Sequence, residues 1–371
     1  MKLNKGFVTL IVSVFALTGA SVIDLDTPST QQQFQASANV VKETYESRLF
    51  TLSPYKQGHF GLRMYRQTQD SKYHNVVLGD LANVTNRVNR FAAEVTTPSA
   101  IRAYSLRRLN DYKKGKDERS QRRYEATKGD PDYFYMGLDL LRYMARLNEY
   151  GVKHRDDKKL RKILRSYDFK TALTDEEMIT AWAAQLANQA YWLKQIGEQD
   201  LVNEFVTAFK KAYPDGEDYR LSPQQFGNKL YGMTHIILAD SGYYQRQVNE
   251  ADHQWIFDYF RKNIDDIILH TKEDVIAEVG LSFLLAGLED DPVVQKARTA
   301  IRQSIDKDKG MIPSVSGDFD FAYGEHRNVL AIMLLDWQAP TEGPSTTTTP
   351  KLFAKLPYGV ERKHEVAHSK G

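Results

Sequence analysis

The chain of 371 residues contains no cysteine. This absence excludes a disulfide framework, a thiolate nucleophile and a lipid-acceptor cysteine, so the fold depends on its hydrophobic core. A strong net charge is also absent, because 50 lysines and arginines nearly balance 48 aspartates and glutamates, for a formal charge of +2. Lys2 and Lys5 account for that excess, and the net charge therefore favours no particular class of partner.

Motifs for nucleotide binding and for serine-based hydrolysis are missing as well. The chain has no Gly-x-x-x-x-Gly-Lys-Ser/Thr loop, no Gly-x-Gly-x-x-Gly after a strand and no Gly-x-Ser-x-Gly elbow. Long hydrophobic runs are scarce, and no stretch beyond the N-terminus approaches the roughly 20 apolar residues that span a bilayer. We therefore expect no cofactor, no nucleic-acid partner and no membrane span.

Residues 1–20 have the pattern of a secretory signal peptide. Lys2 and Lys5 form a positively charged start, residues 7–17 are mostly apolar, and Thr18, Gly19 and Ala20 supply the small residues of a cleavage site. The apolar run is too short to cross a bilayer as an anchor. We predict that the protein is exported, either to a periplasm or out of the cell.

The rest of the chain is dominated by helical periodicity. Residues 21–32 are polar and are predicted to form a flexible leader, and apolar residues then recur at helical spacing from Phe34 to Trp337. Start signals are clear in places, as at Ser222, where a capping residue precedes a proline and a glutamine follows three positions later. Strand alternation is almost absent. We predict one all-α domain over residues 33–338, followed by a linker and flexible tail over residues 339–371.

Three segments in the second half place polar groups among small or apolar residues. They are Gly232-Met-Thr-His235, the run from Glu278 to Gly287, and Gly324-Glu-His-Arg-Asn328. These segments resemble the helices of α/α-toroid proteins, a ring of helical hairpins found in many glycoside hydrolases, polysaccharide lyases, uronyl epimerases and cyclases. The resemblance implies an α/α toroid in which small residues let inner helices crowd the axis. It also implies a cleft lined by polar groups at one end of those helices.

Glu278 is the first candidate for chemistry, because it lies in the uncharged run from Val275 to Leu285. A carboxylate buried without partners is costly, and its pKa rises instead, which suits a general acid. The alternative is that Glu278 faces solvent or pairs with an arginine.

Two histidines have comparable settings. His235 lies on a face with small residues and precedes Asp240 and Tyr243, although a core histidine that donates to a carbonyl is the commoner case. His326 follows Glu325 in a first helical turn, where the helix dipole favours Glu325 and disfavours a protonated imidazole. Asp240 also has a structural alternative, as a helix end. The candidate catalytic residues are Glu278, His235, His326, Glu325 and Asp240, and the candidate substrate-binding residues are Arg327, Asn328, Tyr243, Tyr244, Tyr323 and Arg63.

The leading hypothesis is an exported carbohydrate-active enzyme, a hydrolase or a lyase, that holds a carbohydrate or other polar ligand in a central cavity. Glu278 is the expected acid and His235 or His326 the expected base. Basic segments at residues 102–123 and 153–165 are either a rim that attracts an acidic polysaccharide or solvated helix faces. Two alternatives stay open: a non-catalytic binding or assembly protein of the cell envelope, and a metal-dependent hydrolase in which three distant helices converge, although no local metal-ligand spacing is present.

Overall fold

The structure, a computed structural model, describes residues 29–363, and the predicted signal peptide lies outside them. Within this part of the chain nearly all regular structure is helical, which confirms the predicted all-α class. The helices are α1 Thr30–Glu46, α2 Pro54–Thr68, α3 His74–Glu94, α4 Pro98–Lys114, α5 Glu118–Thr127, α6 Tyr133–Tyr135, α7 Leu141–Glu149, α8 Asp157–Leu164, α9 Phe169–Thr174, α10 Glu176–Gln195, α11 Val202–Ala212, α12 Pro223–Asp240, α13 Gln254–His270, α14 Glu273–Leu285, α15 Pro292–Ser304 and α16 Phe321–Leu335.

Local capping explains where several helices begin. At α12 the Ser222 side chain accepts a hydrogen bond from the Gln225 backbone while the Gln225 side chain accepts one from the Ser222 backbone, with Pro223 in the first turn. At α15 the Asp291 side chain accepts from the backbone of Val293. No helix within residues 29–363 is both long enough and apolar enough to cross a bilayer.

Seven helices contact one another in a closed circuit. Helix α2 packs on α3, α3 on α7, α7 on α10, α10 on α12, α12 on α14 and α14 on α16, and α16 returns to α2. Other helices pack against members of this circuit, with α1 on α16, α5 and α11 on α10, and α15 on α14, whereas α4 packs on α5 and α6. The circuit therefore brings side chains from the first and last thirds of the chain to a common space.

Glycine permits the closest approach within this circuit. A Cβ atom at Gly232 of α12 would lie 2.3 Å from the ring of Phe209 and 2.9 Å from the Cβ of Ala183 on α10. A Cβ atom at Gly280 of α14 would lie 2.6 Å from Leu334 on α16. Larger residues at these positions would overpack the core, so the small residues of both segments have a steric reason.

The C-terminal segment differs from its sequence-based prediction. Residues 339–363 pack against the helical body instead of forming a flexible linker, because their apolar side chains and backbone groups find partners there. Phe353 is fully buried with its ring 5.7 Å from that of Tyr150, and the Thr341 backbone N–H donates to the Tyr244 carbonyl. Strand β2, Val360–Arg362, pairs antiparallel with β1, Val152–His154.

Candidate functional site

A cavity of about 550 Å³ opens inside the circuit of helices. Its wall carries an excess of three positive charges, because seven arginines face it against four carboxylates. Tyrosine, tryptophan, histidine and amide side chains make up much of the rest. The charged residues of the wall are Arg63, Arg66, Arg108, Arg119, Arg123, Arg142, Arg146, Asp80, Asp139, Glu149 and Asp274.

The structure brings His235, Glu278 and His326 together at this cavity. The Nε2 atoms of His235 and His326 each lie 3.7 Å from the same oxygen, Glu278 Oε1. The second oxygen, Oε2, accepts a hydrogen bond of 2.7 Å from the Thr234 hydroxyl. Both imidazoles line the cavity, whereas Glu278 is only 1% exposed and lies behind them.

A third histidine, His59 of α2, extends this arrangement. His59 Nε2 lies 3.4 Å from His326 Nδ1, and His59 Nδ1 lies 2.7 Å from Glu325 Oε1. Glu325, like Glu278, is almost completely buried. We refer to His59, His235, Glu278, Glu325 and His326 as the histidine–glutamate cluster. It joins side chains of α2, α12, α14 and α16 in one continuous row.

Burial reverses the ordinary order of pKa values within the cluster. Burial raises the pKa of Glu278 to about 8 and that of Glu325 to about 7. Burial, reinforced by the nearby His326 and Arg63, lowers the pKa of His235 to about 3. Burial also lowers the pKa of His326 and of His59. Near neutral pH the imidazoles are therefore uncharged bases, while Glu278 retains its proton, which is the pairing of states that acid–base catalysis uses.

Tyr243 and Asn188 meet His235 on its other side. The Tyr243 hydroxyl donates to Asn188 Oδ1 at 2.6 Å and lies 3.3 Å from His235 Nδ1, which is itself 3.1 Å from Asn188 Oδ1. This geometry places a proton on His235 Nδ1 and leaves the Nε2 lone pair free. All three residues line the cavity. We call Asn188, His235 and Tyr243 the amide–imidazole–phenol triad.

An unusual backbone turn places Tyr243. Helix α12 ends at Asp240, and Gly242, Tyr243 and Tyr244 all have positive φ angles, of 63°, 57° and 71°. Left-handed backbone at non-glycine residues costs of order 1–3 kcal/mol each, and such strain is concentrated at functional sites. Arg66 supports the turn, because its Nη1 donates to the Tyr243 carbonyl at 2.9 Å.

Four of the cavity arginines take part in no ion pair within residues 29–363. Arg63 donates to the His59 carbonyl at 3.2 Å, and its charge lowers the pKa of His235 and His326. Three of the four guanidinium groups lie over aromatic rings, a contact that holds a cation without neutralising it. We call these residues, Arg63, Arg119, Arg123 and Arg142, the unpaired arginines.

Other sequence-predicted residues lie away from this site. Asp240 pairs with His253 Nε2 at 2.9 Å and with Arg246, and it lines a separate pocket of about 510 Å³. Tyr323 is 81% exposed and Tyr244 is fully buried, so neither ring is presented to the cavity. Sugar stacking at these two tyrosines stays a prediction, without support from this cavity.

Arg327 and Asn328 support the fold. Asn328 is fully buried and makes four hydrogen bonds, to both backbone groups of Ile312, to the Gly324 carbonyl and to the Tyr45 hydroxyl. Arg327 donates to the Ile312 carbonyl at 3.2 Å. Neither residue lines the cavity, and the substrate contacts expected of them stay a prediction that this cavity does not support.

Sequence analysis missed several residues that face the cavity, and a pattern in the chain indicates them in retrospect. Helices α2, α7 and α10 each carry a second, polar stripe at helical spacing beside the apolar one. On α10 this stripe falls at intervals of three, four and seven residues within an alanine-rich helix. The missed residues of these stripes are Tyr55 and His59 on α2, Arg142 and Arg146 on α7, and Gln185, Asn188, Gln189 and Trp192 on α10.

Metal binding has no candidate ligand set in the described part of the chain. Within residues 29–363 no group of three or more histidine, cysteine, aspartate or glutamate side chains is placed to hold a metal ion.

Comparison with known protein families gives a match over most of the chain. Residues 34–363 match the family described as "Domain of unknown function (DUF3541)". Because the match covers most of the chain, the protein belongs to this family. No curated protein and no solved structure matches the chain. The family description states no activity, so the function is argued from the site itself.

Proposed function

We propose that this member of the DUF3541 family is an exported lyase that cleaves acidic polysaccharides by β-elimination inside an α/α toroid. The toroid is our interpretation of the closed circuit of seven helices, and export rests on the signal-peptide pattern of residues 1–20. The positive cavity supports an anionic substrate, since an enclosed wall of one sign concentrates ligands of the opposite sign.

β-Elimination of a uronate needs three groups around the sugar ring. A cation or amide donor neutralises the carboxylate at C6, a base removes the proton from C5, and an acid protonates the leaving oxygen at C4. The amide–imidazole–phenol triad and Arg63 supply all three at one point of the cavity wall. The hydrogen-bonded contact of Tyr243, His235 and Asn188 is the observation that carries the proposal.

In the proposed step the Nε2 lone pair of His235 takes the C5 proton. The electrons of that C–H bond form the C4=C5 double bond, and the C4–O bond breaks. The Tyr243 hydroxyl gives its proton to the departing oxygen, which becomes the free hydroxyl of the other chain. The pKa of Tyr243 is raised, chiefly by burial, which keeps the phenol protonated before the step.

Asn188 and Arg63 hold the uronate carboxylate in this proposal. Asn188 uses Oδ1 to orient Tyr243 and His235, which makes its Nδ2 group the donor for an oxygen of the substrate. Arg63 brings a cation that no carboxylate of residues 29–363 neutralises within ion-pair distance. Fixed donors of this kind stabilise the charge that develops on the carboxylate as C5 loses its proton.

Glu278 has a different role from the direct acid that the sequence predicts. It lies behind the imidazoles at 3.7 Å from each Nε2, so it contacts the bases and not the cavity. We assign it as a positioning residue that stays neutral beside the two imidazoles while His235 takes up the proton. The remaining histidines of the cluster extend the row of side chains towards Glu325.

The arrangement favours elimination over hydrolysis. Hydrolysis of a glycosidic bond ordinarily uses two carboxyl groups on opposite sides of the bond. Both carboxyl groups of the histidine–glutamate cluster are buried behind imidazoles. The four carboxylates that line the cavity are each within hydrogen-bonding distance of an arginine or a tyrosine hydroxyl.

The test is a cleavage assay of the full chain on polyuronates, glycosaminoglycans and neutral polysaccharides. Elimination yields an unsaturated uronate that absorbs in the ultraviolet. Hydrolysis yields new reducing ends but no such double bond. We expect ultraviolet-absorbing product from an acidic polymer, and we expect Tyr243→Phe to lower kcat by about 10²- to 10⁴-fold.

Tyr219→Phe is the matched control, because Tyr219 is 77% exposed and lies outside the cavity wall. Thermal unfolding of both variants separates a catalytic loss from a folding loss. Undiminished cleavage by Tyr243→Phe and His235→Gln would overturn the assignment. Reducing ends without the double bond would indicate a hydrolase, and binding without turnover would indicate the non-catalytic envelope protein.

A further inference from the structure

Two unpaired arginines lie on α5, on a different wall helix from Arg63. Arg123 lies over the indole of Trp182 at 4.1 Å from the ring centroid. Its Nε donates to the Ala181 carbonyl at 3.2 Å, and its Nη2 donates to Gln185 Oε1 at 3.3 Å. These neutral partners hold the guanidinium in place without cancelling its charge. Arg119, one helical turn earlier, lines the same cavity.

Polar atoms around Trp182 lack partners. Trp182 is 1% exposed and its Nε1 has no hydrogen-bond partner within residues 29–363, and the same holds for Oε1 of the fully buried Gln189. Both residues line the cavity. A buried donor or acceptor left without a partner costs about 1–3 kcal/mol, so this wall is arranged for a ligand that supplies the missing groups.

The backbone at Trp182 is also irregular. Trp182 has φ −132° and ψ 23° inside α10, which interrupts the helix at this residue. A break in a helix that lines a cavity re-aims the side chains beside it, and such breaks are frequent at functional sites. Here it presents the indole to Arg123.

This wall is distinct from the amide–imidazole–phenol triad. Trp182 and Asn188 are six positions apart on α10, which corresponds to about 9 Å along a helix axis. Arg63 donates to the His59 carbonyl on α2, whereas Arg123 donates to Ala181 and Gln185 on α10, so the two guanidinium groups are held by different wall helices. Two separate groups of cations in one cavity match a ligand with two separate anionic groups.

We propose that Arg119, Arg123, Trp182 and Gln189 form a second anion-binding subsite for the sugar that neighbours the cleaved uronate. The carboxylate or sulfate ester of this sugar meets the two arginines, while its hydroxyls accept from Trp182 Nε1 and donate to Gln189 Oε1. The subsite rests on the proposed lyase function and narrows its substrate to polymers that carry a negative charge on adjacent sugars.

The test measures binding in the Tyr243→Phe background, so that no ligand is consumed. The probes are a galacturonate hexasaccharide, charged on every sugar, a chondroitin sulfate hexasaccharide, with uronate and sulfate on alternating sugars, and its desulfated form. We expect Arg123→Gln to weaken the Kd for the first two probes by about 10-fold or more, because a charge-assisted hydrogen bond is lost. The desulfated probe places a neutral sugar in the subsite, so Arg123→Gln should weaken its binding less.

Arg122→Gln is the control, because Arg122 directly precedes Arg123 on the same helix and pairs with Glu118 at 3.0 Å, away from the cavity wall. It should leave all three Kd values unchanged. Equal Kd values for Arg123→Gln and its parent on every charged probe would overturn the subsite.

The two proposals fail in distinguishable ways. Charge-dependent binding that needs Arg123, together with no cleavage of any polymer by the wild-type chain, would remove the lyase and keep the subsite. Cleavage by the wild-type chain whose KM is unaffected by Arg123→Gln would keep the lyase and remove the subsite. A loss in kcat at constant KM would likewise contradict a binding role for Arg123.

Discussion

The histidine–glutamate cluster and the unpaired arginines are neighbouring regions that differ in charge: the first is neutral near pH 7 and the second is positively charged. In the cluster, burial moves the pKa values of carboxyl and imidazole groups until both are neutral near pH 7. In the arginine region the charge is permanent, and aromatic rings and carbonyls hold the guanidinium groups without neutralising them. The first region is suited to moving protons and the second to holding anions.

The difference has a simple physical origin. A carboxyl or imidazole group escapes the cost of burial by changing its protonation state, while the guanidinium of arginine stays charged at any accessible pH. Arginines can therefore supply a constant positive field beside groups whose charge varies. Arg63 belongs to both regions, because its charge acts on the pKa of the cluster while its side chain lines the cavity.

Among the predictions from this comparison, the largest effect is expected at Asn188, which contacts His235 of the cluster. Asn188→Ala removes the acceptor that orients Tyr243 and His235, together with a donor to the substrate carboxylate. We expect kcat on an acidic polymer to fall by about 10²- to 10³-fold, as when a fixed donor to a developing anion is lost. Gln195→Ala, on the same helix and outside this cavity, is the control. A normal kcat for Asn188→Ala would contradict the proposed role of Asn188 in orienting Tyr243 and His235 and in binding the substrate carboxylate.

The next largest effect is expected on the pH dependence of the unfolding free energy, which tests whether Glu278 of the cluster is neutral. The pKa of Glu278 is raised from an ordinary 4.5 to about 8 by folding, so the folded state holds a proton that the unfolded state releases. Its contribution to stability is complete below about pH 4.5 and is lost as pH rises through about 8. The amide side chain of the Glu278→Gln variant cannot ionise. As the pH rises from about 4.5 to 8, the unfolding free energy of this variant should therefore increase relative to that of the wild type by a few kcal/mol.

Chemical denaturation of both proteins from pH 5 to 9 measures this difference, with Glu289→Gln as a carboxyl control outside the cavity wall. His235 acts with the opposite sign, since its lowered pKa costs stability as pH falls from about 6.5 towards 3. Parallel pH profiles for wild type and Glu278→Gln would show that Glu278 is ionised in the folded protein.

A smaller effect is expected at Asn328, which belongs to neither region. Asn328→Leu keeps the volume but leaves backbone groups of Ile312 and Gly324 without partners. We expect a loss of about 1–3 kcal/mol in unfolding free energy and an unchanged kcat per folded molecule. An increase in KM without a loss of stability would instead restore the substrate-binding role predicted from the sequence.

The smallest effect is expected at Asp240. Asp240→Asn keeps the shape of a partly exposed side chain and weakens its ion pairs with His253 and Arg246. We expect the unfolding free energy to fall by less than about 1 kcal/mol. We expect kcat and KM on the acidic polymer to stay unchanged. A large drop in kcat would extend the catalytic region into the second pocket.

Much of the site was predictable because its residues violate local expectations. A structural role in the helix does not explain a carboxyl at Glu278 in an apolar run or a histidine at His326 in a first turn. The sequence therefore identifies both as candidates. Asn328 is predicted to bind substrate because a buried, fully hydrogen-bonded amide and a substrate-binding amide look alike in sequence. His59 was missed because its helix gives no sign of which other helix it meets.

Local sequence by itself determined the helices, the absence of cysteine chemistry and the polar groups that lie among apolar neighbours. These follow from periodicity, capping and composition, which act over a few residues. Only the tertiary structure decided that His59 lies beside His326, 267 positions away, and that four arginines keep their charge beside neutral imidazoles. Such contacts depend on which helices pack together and on how deeply each group is buried, and no short-range pattern encodes either.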